Sequence, residues 1–272
     1  MWRPFSHFQA ALAFLTRLAP PPEPYVALES ALPFFAPVGL VLGALATAVS
    51  LGLCWLWGSG LLSCLAAGWL WLVVMALATR AMHWDALADV ADAAGSLARG
   101  ERFWQIMKDS RVGAFAVLAI VAVWLGQWLC AAAHVERGGW LWLALAPAWA
   151  RGACLCLAGN APGASASTLG QLVCAGARGR VAGLGIAHWH RVGGVLALLA
   201  LMALAGLCLW QVVALLAAQA LLHLWFTGLA RREGGLSGDF LGADIELSQL
   251  LWLVLTMPAS VAGAPCQSAL GL

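Results

Sequence analysis

The chain reads as all-α and polytopic: an integral membrane bundle of about seven transmembrane helices with a cytoplasmic N-terminus. Three observations carry that reading. Of 272 residues, 63% are hydrophobic and only 10% charged, against roughly 45–50% and about 25% in soluble domains. The mean hydropathy is +0.88. The apolar residues come in runs of roughly twenty, the length a helix needs to cross about 30 Å of hydrocarbon. The whole chain forms one membrane domain.

Residues 1–24 predict a helix lying at the interface, with Phe8, Leu12 and Leu15 on one side and Arg3 and Arg17 as headgroup anchors. No cleavable signal peptide is expected, because the run Phe8–Leu15 is short and lacks a small-residue cleavage site. Prolines 20, 21, 22 and 24 end the helix. Spans are expected at Phe34–Trp57, Leu61–Thr79, Gly113–Ala133 and Trp140–Ala158, with a Gly-Ser-Gly reversal at 58–60 and a polar link at His134–Gly139. Residues 80–112 form an acidic and basic cytoplasmic segment. Residues 159–192 are too glycine-rich and broken to span, and predict a loop or a partly re-entrant piece. Residues 193–230 make one apolar run. As a single helix it would extend about 57 Å against about 30 Å of hydrocarbon, so two spans are expected, divided near Trp210–Gln211. A loop that carries the second acidic segment, 231–246, precedes a last span at Leu247–Ala262.

Charge placement supports this topology. With the N-terminus inside, twelve of the fourteen lysines and arginines fall on the cytoplasmic side, which is the positive-inside pattern. Only Arg137 lies outside, and Arg151 falls within the fourth span. Both acidic segments then share the cytoplasmic face. The eight cysteines include no CxxC pair and read as small apolar filler. Trp55, Trp57, Trp140 and Trp142 stand at span ends, where belt tryptophans anchor a helix.

The chemistry concentrates between Arg80 and Gly113, which holds four of the six aspartates and the only lysine. Asp85, Asp89 and Asp92 fall within a sector of roughly 60° on a helix. Like charges so placed destabilise an isolated helix by about 0.2–0.5 kcal/mol per pair. A divalent cation would relieve them, since hard cations take carboxylate oxygens. An ordinary solvated helix would interleave charges of both signs; this face is purely acidic. His83 is read either as a further ligand or base, or as a hydrogen-bonded neighbour. In Gly234–Gln249, glycines around Asp239 let backbone approach a ligand closely. Asp239 and Glu246 are taken as partners of the first cluster, and Asp244 as a helix N-terminal acid. Arg102, Lys108, Ser110 and Arg111 supply the basic counterpart. Arginine forks and a lysine point charge clamp phosphate oxygens. No phosphate-binding P-loop, dinucleotide fingerprint or nucleic-acid module is visible, so nucleic acid is not an expected partner.

These strings resemble the cobalamin-5′-phosphate synthase (adenosylcobinamide-GDP ribazoletransferase) family. The resemblance rests on His83-Trp-Asp85-Ala-Leu-Ala-Asp89-Val-Ala-Asp92-Ala, on Ile106-Met-Lys108-Asp109-Ser110-Arg111-Val-Gly113, and on Gly234–Leu247 with Ser237 for the family's threonine. Phe14-Leu-Thr-Arg17-Leu and Phe35-Ala-Pro-Val-Gly39-Leu fit as well. Two family glycines are Ala86 and Ala93 here, and alanine favours helix by about 1 kcal/mol at each position.

The resemblance implies a phosphotransferase of the bacterial inner membrane. A hydroxyl of α-ribazole or its 5′-phosphate attacks adenosylcobinamide-GDP, and GMP leaves. It implies Mg²⁺ on Asp85, Asp89, Asp92 and Asp239, with Lys108 and Arg111 on the phosphates. Asp92, Glu246 or His83 would take the proton. Rival readings are an intramembrane prenyl- or CDP-alcohol-type transferase, or a cation transporter. A homo-oligomer is left open.

Overall fold

A computed structural model describes residues 4–58, 60–181 and 184–257. Its helices are α1 (Pro4–Leu15), α2 (Leu28–Ala31), α3 (Phe35–Trp57), α4 (Leu61–Ala78), α5 (Met82–Gly95) and α6 (Glu101–Met107). There follow α7 (Ala114–Glu136), α8 (Trp140–Ala158), α9 (Thr168–Arg178), α10 (Ile186–Ala205), α11 (Leu209–Glu233) and α12 (Gly238–Leu255). A 3-10 turn at Leu32–Phe34 leads into α3, and a two-residue antiparallel hairpin, β1 (Arg180–Val181) with β2 (Leu184–Gly185), precedes α10. The all-α expectation holds.

Among the described residues seven helices have 18 residues or more: α3, α4, α7, α8, α10, α11 and α12. Among the described residues, five stretches are long and apolar enough to cross a membrane: Leu28–Trp57, α4, α7, α8 and α11. Their outer faces expose Leu45, Leu62, Leu118, Leu129 and Leu221, among other large apolar side chains. The long apolar run does divide, at residues 206–208, where Gly206 takes φ +72°.

Two expected loops are partly helical. The 159–192 segment contains α9, capped by Ser167 Oγ accepting from Gly170 N at 3.1 Å, and the start of α10. The second acidic segment becomes helix from Gly238 onward, so α12 begins nine residues before the expected span. Ser237 at its N-cap, with Oγ accepting from Phe240 N, supplies the start signal. The expected end of that span, 258–262, lies outside the described residues, as does Arg3. The N-terminal helix docks on the bundle, burying Ala10, Ala11 and Leu15. Trp142 is no belt anchor: it is buried, 6.2 Å from the Trp252 ring, and its carbonyl accepts from Trp252 Nε1 at 2.8 Å.

Small residues set the packing, as they do where helices associate in lipid. α3 lies against α8, and a side chain at Gly39 would collide with Ala148 Cα at 2.7 Å. α4 packs on α7, α5 on both α7 and α12, and α12 on α8. The interior also holds polar groups. Arg151 is fully buried and donates to the Pro147 carbonyl at 3.1 Å. Gln127 Nε2 donates to Glu246 Oε2 at 2.9 Å, and Asp244 Oδ1 lies 3.4 Å from His223 Nε2.

Candidate functional site: an acidic cleft beside a basic strap

α5 is alanine-rich, which suits a helix. Its His83, Trp84, Leu87, Val90 and Ala93 turn into the bundle. The other side carries the aspartates: Asp85 is exposed, and Asp89 and Asp92 are half-buried. The chain enters α5 through Arg80 and Ala81, both left-handed at φ 57° and 53°.

α12 lies alongside. The contact is tight at Gly242, where an added Cβ would meet Ala86 Cβ at 2.6 Å. Gly235, at φ +135°, presses on the backbone of Ala164, and Leu236 exchanges hydrogen bonds with Pro162 O and Ala164 N at 2.9 and 2.8 Å. These contacts fix the segment that delivers half-buried Asp239 in the first turn of α12. There Ser237 Oγ donates to Asp239 Oδ2 at 3.1 Å.

Two parts of the chain about 150 residues apart thus meet in one acidic cluster. Its electrostatics follow. Partial burial, then the carboxylates of Asp85, Asp239 and Asp92, push the Asp89 carboxyl up to about 7. Burial and the Asp85 charge raise Asp239 too, against the opposing Ser237 hydrogen bond. Every charged neighbour acting on Asp89 is another carboxylate. An acidic cluster without its own cation suits a hard divalent ion by its oxygen-only donor set. As the side chains stand, no three His, Cys, Asp or Glu among the described residues converge closely enough to hold an ion. Loading would therefore require rotation of the exposed Asp85 and its neighbours.

The remaining sequence-selected residues divide. Asp92 reaches the start of α7, where Oδ2 accepts from Gly113 N at 2.6 Å and Oδ1 from Ala116 N at 2.8 Å. It caps a helix from outside as well as facing the cleft. His83 and Glu246 are buried, with His83 Nδ1 3.8 Å from Glu246 Oε1. Burial, then the Arg151 charge, holds the His83 imidazole well below its ordinary pKa, so it is neutral at pH 7. Arg102, Lys108, Ser110 and Arg111 are all exposed on the α6–α7 strap. Arg111 grips Asp109, Nη2 to Oδ2 at 2.7 Å, and holds the Asp109 carboxyl at about 2. Arg102 Nη1 donates to Gln105 Oε1 at 3.2 Å.

One residue that sequence reasoning passed over joins this region. Glu233, at the end of α11, is buried and accepts from Gly100 N at 2.7 Å. The available signal was an acid closing an apolar span beside two arginines.

Fold and site together define a polytopic α-helical membrane protein with an acidic cluster and a basic strap joined through Asp92. The family model for cobalamin-5-phosphate synthase matches residues 7–257, and the chain belongs to that family. It is 40% identical over 243 residues to a Nitratidesulfovibrio vulgaris protein named adenosylcobinamide-GDP ribazoletransferase, covering 88% of this chain and 92% of that one. Proteins of the same name from Laribacter hongkongensis and Vibrio cholerae are 35% identical over 196 residues and 31% over 268. They cover 71% and 91% of this chain, and 74% and 92% of their own. No solved structure matches.

Proposed function

We propose that the chain transfers the adenosylcobinamide phosphoryl group from adenosylcobinamide-GDP to a hydroxyl of α-ribazole or its 5′-phosphate. The bond to the GMP phosphate breaks, a bond to the acceptor oxygen forms, and GMP and a proton are released. The observation that carries this reading is the meeting of Asp85, Asp89 and Asp92 on α5 with Asp239 on α12, in a chain of this family.

Phosphoryl transfer asks chiefly for positioning and charge neutralisation. Asp85, Asp89 and Asp239 would hold Mg²⁺, with Asp92 at their edge. Bound there, the ion would neutralise the diphosphate and favour departure of GMP. Lys108 and Arg111 approach the non-bridging oxygens from the strap, with Arg111 exchanging Asp109 for phosphate. Ser110 and Arg102 border the same surface. Asp92 takes the acceptor proton in this reading, because His83 and Glu246 are sealed within the bundle. The cleft faces the cytoplasm across a bacterial inner membrane, with seven spans and the N-terminus inside.

Purified protein in lipid vesicles, given adenosylcobinamide-GDP and α-ribazole, is expected to release one GMP per cobalamin formed, and to stop when EDTA removes divalent ions. Cation flux without GMP release would overturn the reading in favour of a transporter.

A further inference from the structure

The phosphate-clamping residues sit on a short strap, Gly100–Gly113, whose outer side is exposed at Arg102, Lys108, Ser110 and Arg111. A mobile strap would present these cations at no fixed distance from the aspartates. It is instead fastened at three places. At its end, Asp92 takes the amides of Gly113 and Ala116. In its middle, Phe103 and Trp104 pack on Phe240 with ring centroids 6.0 and 6.3 Å apart. Phe240 directly follows Asp239. At its beginning, Glu233 Oε2 accepts from Gly100 N at 2.7 Å, and the Glu233 carbonyl accepts from Trp104 Nε1 at 3.0 Å.

Glu233 holds the strap from a buried position. Its side chain is 0% exposed, and a buried carboxylate is costly unless its oxygens are satisfied. Both are: Oε1 receives Arg232 Nε at 2.6 Å, and Oε2 the strap. Gly100 has φ +57°, which a glycine adopts readily, so the strap turns there with its amide aimed at the carboxylate. Glu233 also closes α11, immediately before the Gly234–Gly238 turn that delivers Asp239.

We propose that Glu233 is a positioning residue: it fixes the strap's cations relative to the α5–α12 aspartates and thereby sets affinity for the diphosphate substrate. It touches neither substrate nor metal. The inference rests on the phosphotransferase reading.

The test is steady-state kinetics of Glu233→Gln and Trp104→Phe in vesicles, varying each substrate separately. Gln keeps the size but loses the charge; Phe keeps the ring but loses the hydrogen bond to the Glu233 carbonyl. The expected result is a KM for adenosylcobinamide-GDP raised about tenfold in Glu233→Gln, the size of one charge-assisted hydrogen bond, and about threefold in Trp104→Phe, which loses a neutral one. KM for α-ribazole and kcat stay within about twofold. A merely structural role would lower the active fraction, hence apparent kcat, without moving either KM. That outcome overturns the proposal, as does an unchanged KM for the diphosphate substrate. If Glu233→Gln fails to assemble, Glu233→Asp, which keeps the charge but shortens its reach to Gly100 N, is expected to raise the same KM and decides alone. Wild-type protein that releases no GMP would refute the underlying reading instead, so the two failures are distinguishable.

Discussion

Asp89 shows how one residue reports on its surroundings. Its carboxyl, raised to about 7 by burial and by three other carboxylates, keeps its proton in the metal-free fold at pH values where an unfolded chain has lost it. Folded protein therefore holds more protons than unfolded between about pH 4 and 7, and metal-free stability falls as pH rises through that window. Above it the contribution is constant. A divalent cation must displace the same proton. Its apparent affinity, followed by calorimetry, is expected to rise between pH 5 and 7 by up to about tenfold per unit and then level off. An affinity independent of pH would contradict the cluster. Asp92 is the complementary case, since its oxygens already hold two amides of α7. Asp92→Ala is expected to lower unfolding stability by about 1–2 kcal/mol, measured in detergent, beyond any effect on turnover. Gly113 belongs to this cap, because a side chain there would strike the Asp92 carboxylate at 2.6 Å.

Among the elements, α5 and α12 decide the geometry. A tight contact pairs Gly242 with Ala86, one of the two positions where the resembled pattern carries glycine. Gly242→Val is expected to wedge the helices apart, costing about 1–3 kcal/mol of overpacking and most of the activity. Ala86→Gly in the same chain should restore much of both. Equal losses in the single and double variants, measured by thermal unfolding and GMP release, would show that the contact is not the hinge of the site. The acid spacing on α5 was legible in sequence because helical periodicity alone puts Asp85, Asp89 and Asp92 on one side. The early start of α12 was less so: its glycines read as a loop, and only the Ser237 cap and the pairing of Leu236 with Pro162 and Ala164 make Gly238 a helix start. The role of Glu233 was hidden altogether, since its partners are 129 and 133 residues away and no local pattern marks them.

Across the whole molecule, composition and run length were enough to foresee a helical membrane bundle, and the division of the long apolar run followed from bilayer thickness. Arg151 was placed within a span, but its company of Glu246, Gln127 and His83 required helices that the sequence could not pair. The positive-inside count predicts that a reporter joined at Arg137 reads outside and one joined at Ser110 reads inside. The same side for both would undo the proposed topology. The central claim is that carboxylates from α5 and α12 serve one metal–diphosphate site. It is tested most directly by counting Mn²⁺ bound, by electron paramagnetic resonance, alongside GMP release in wild type, Asp85→Asn and Asp239→Asn. The account predicts that each substitution alone abolishes both signals in a protein that still inserts and folds. Bound Mn²⁺ and GMP release at wild-type levels in Asp239→Asn would contradict it.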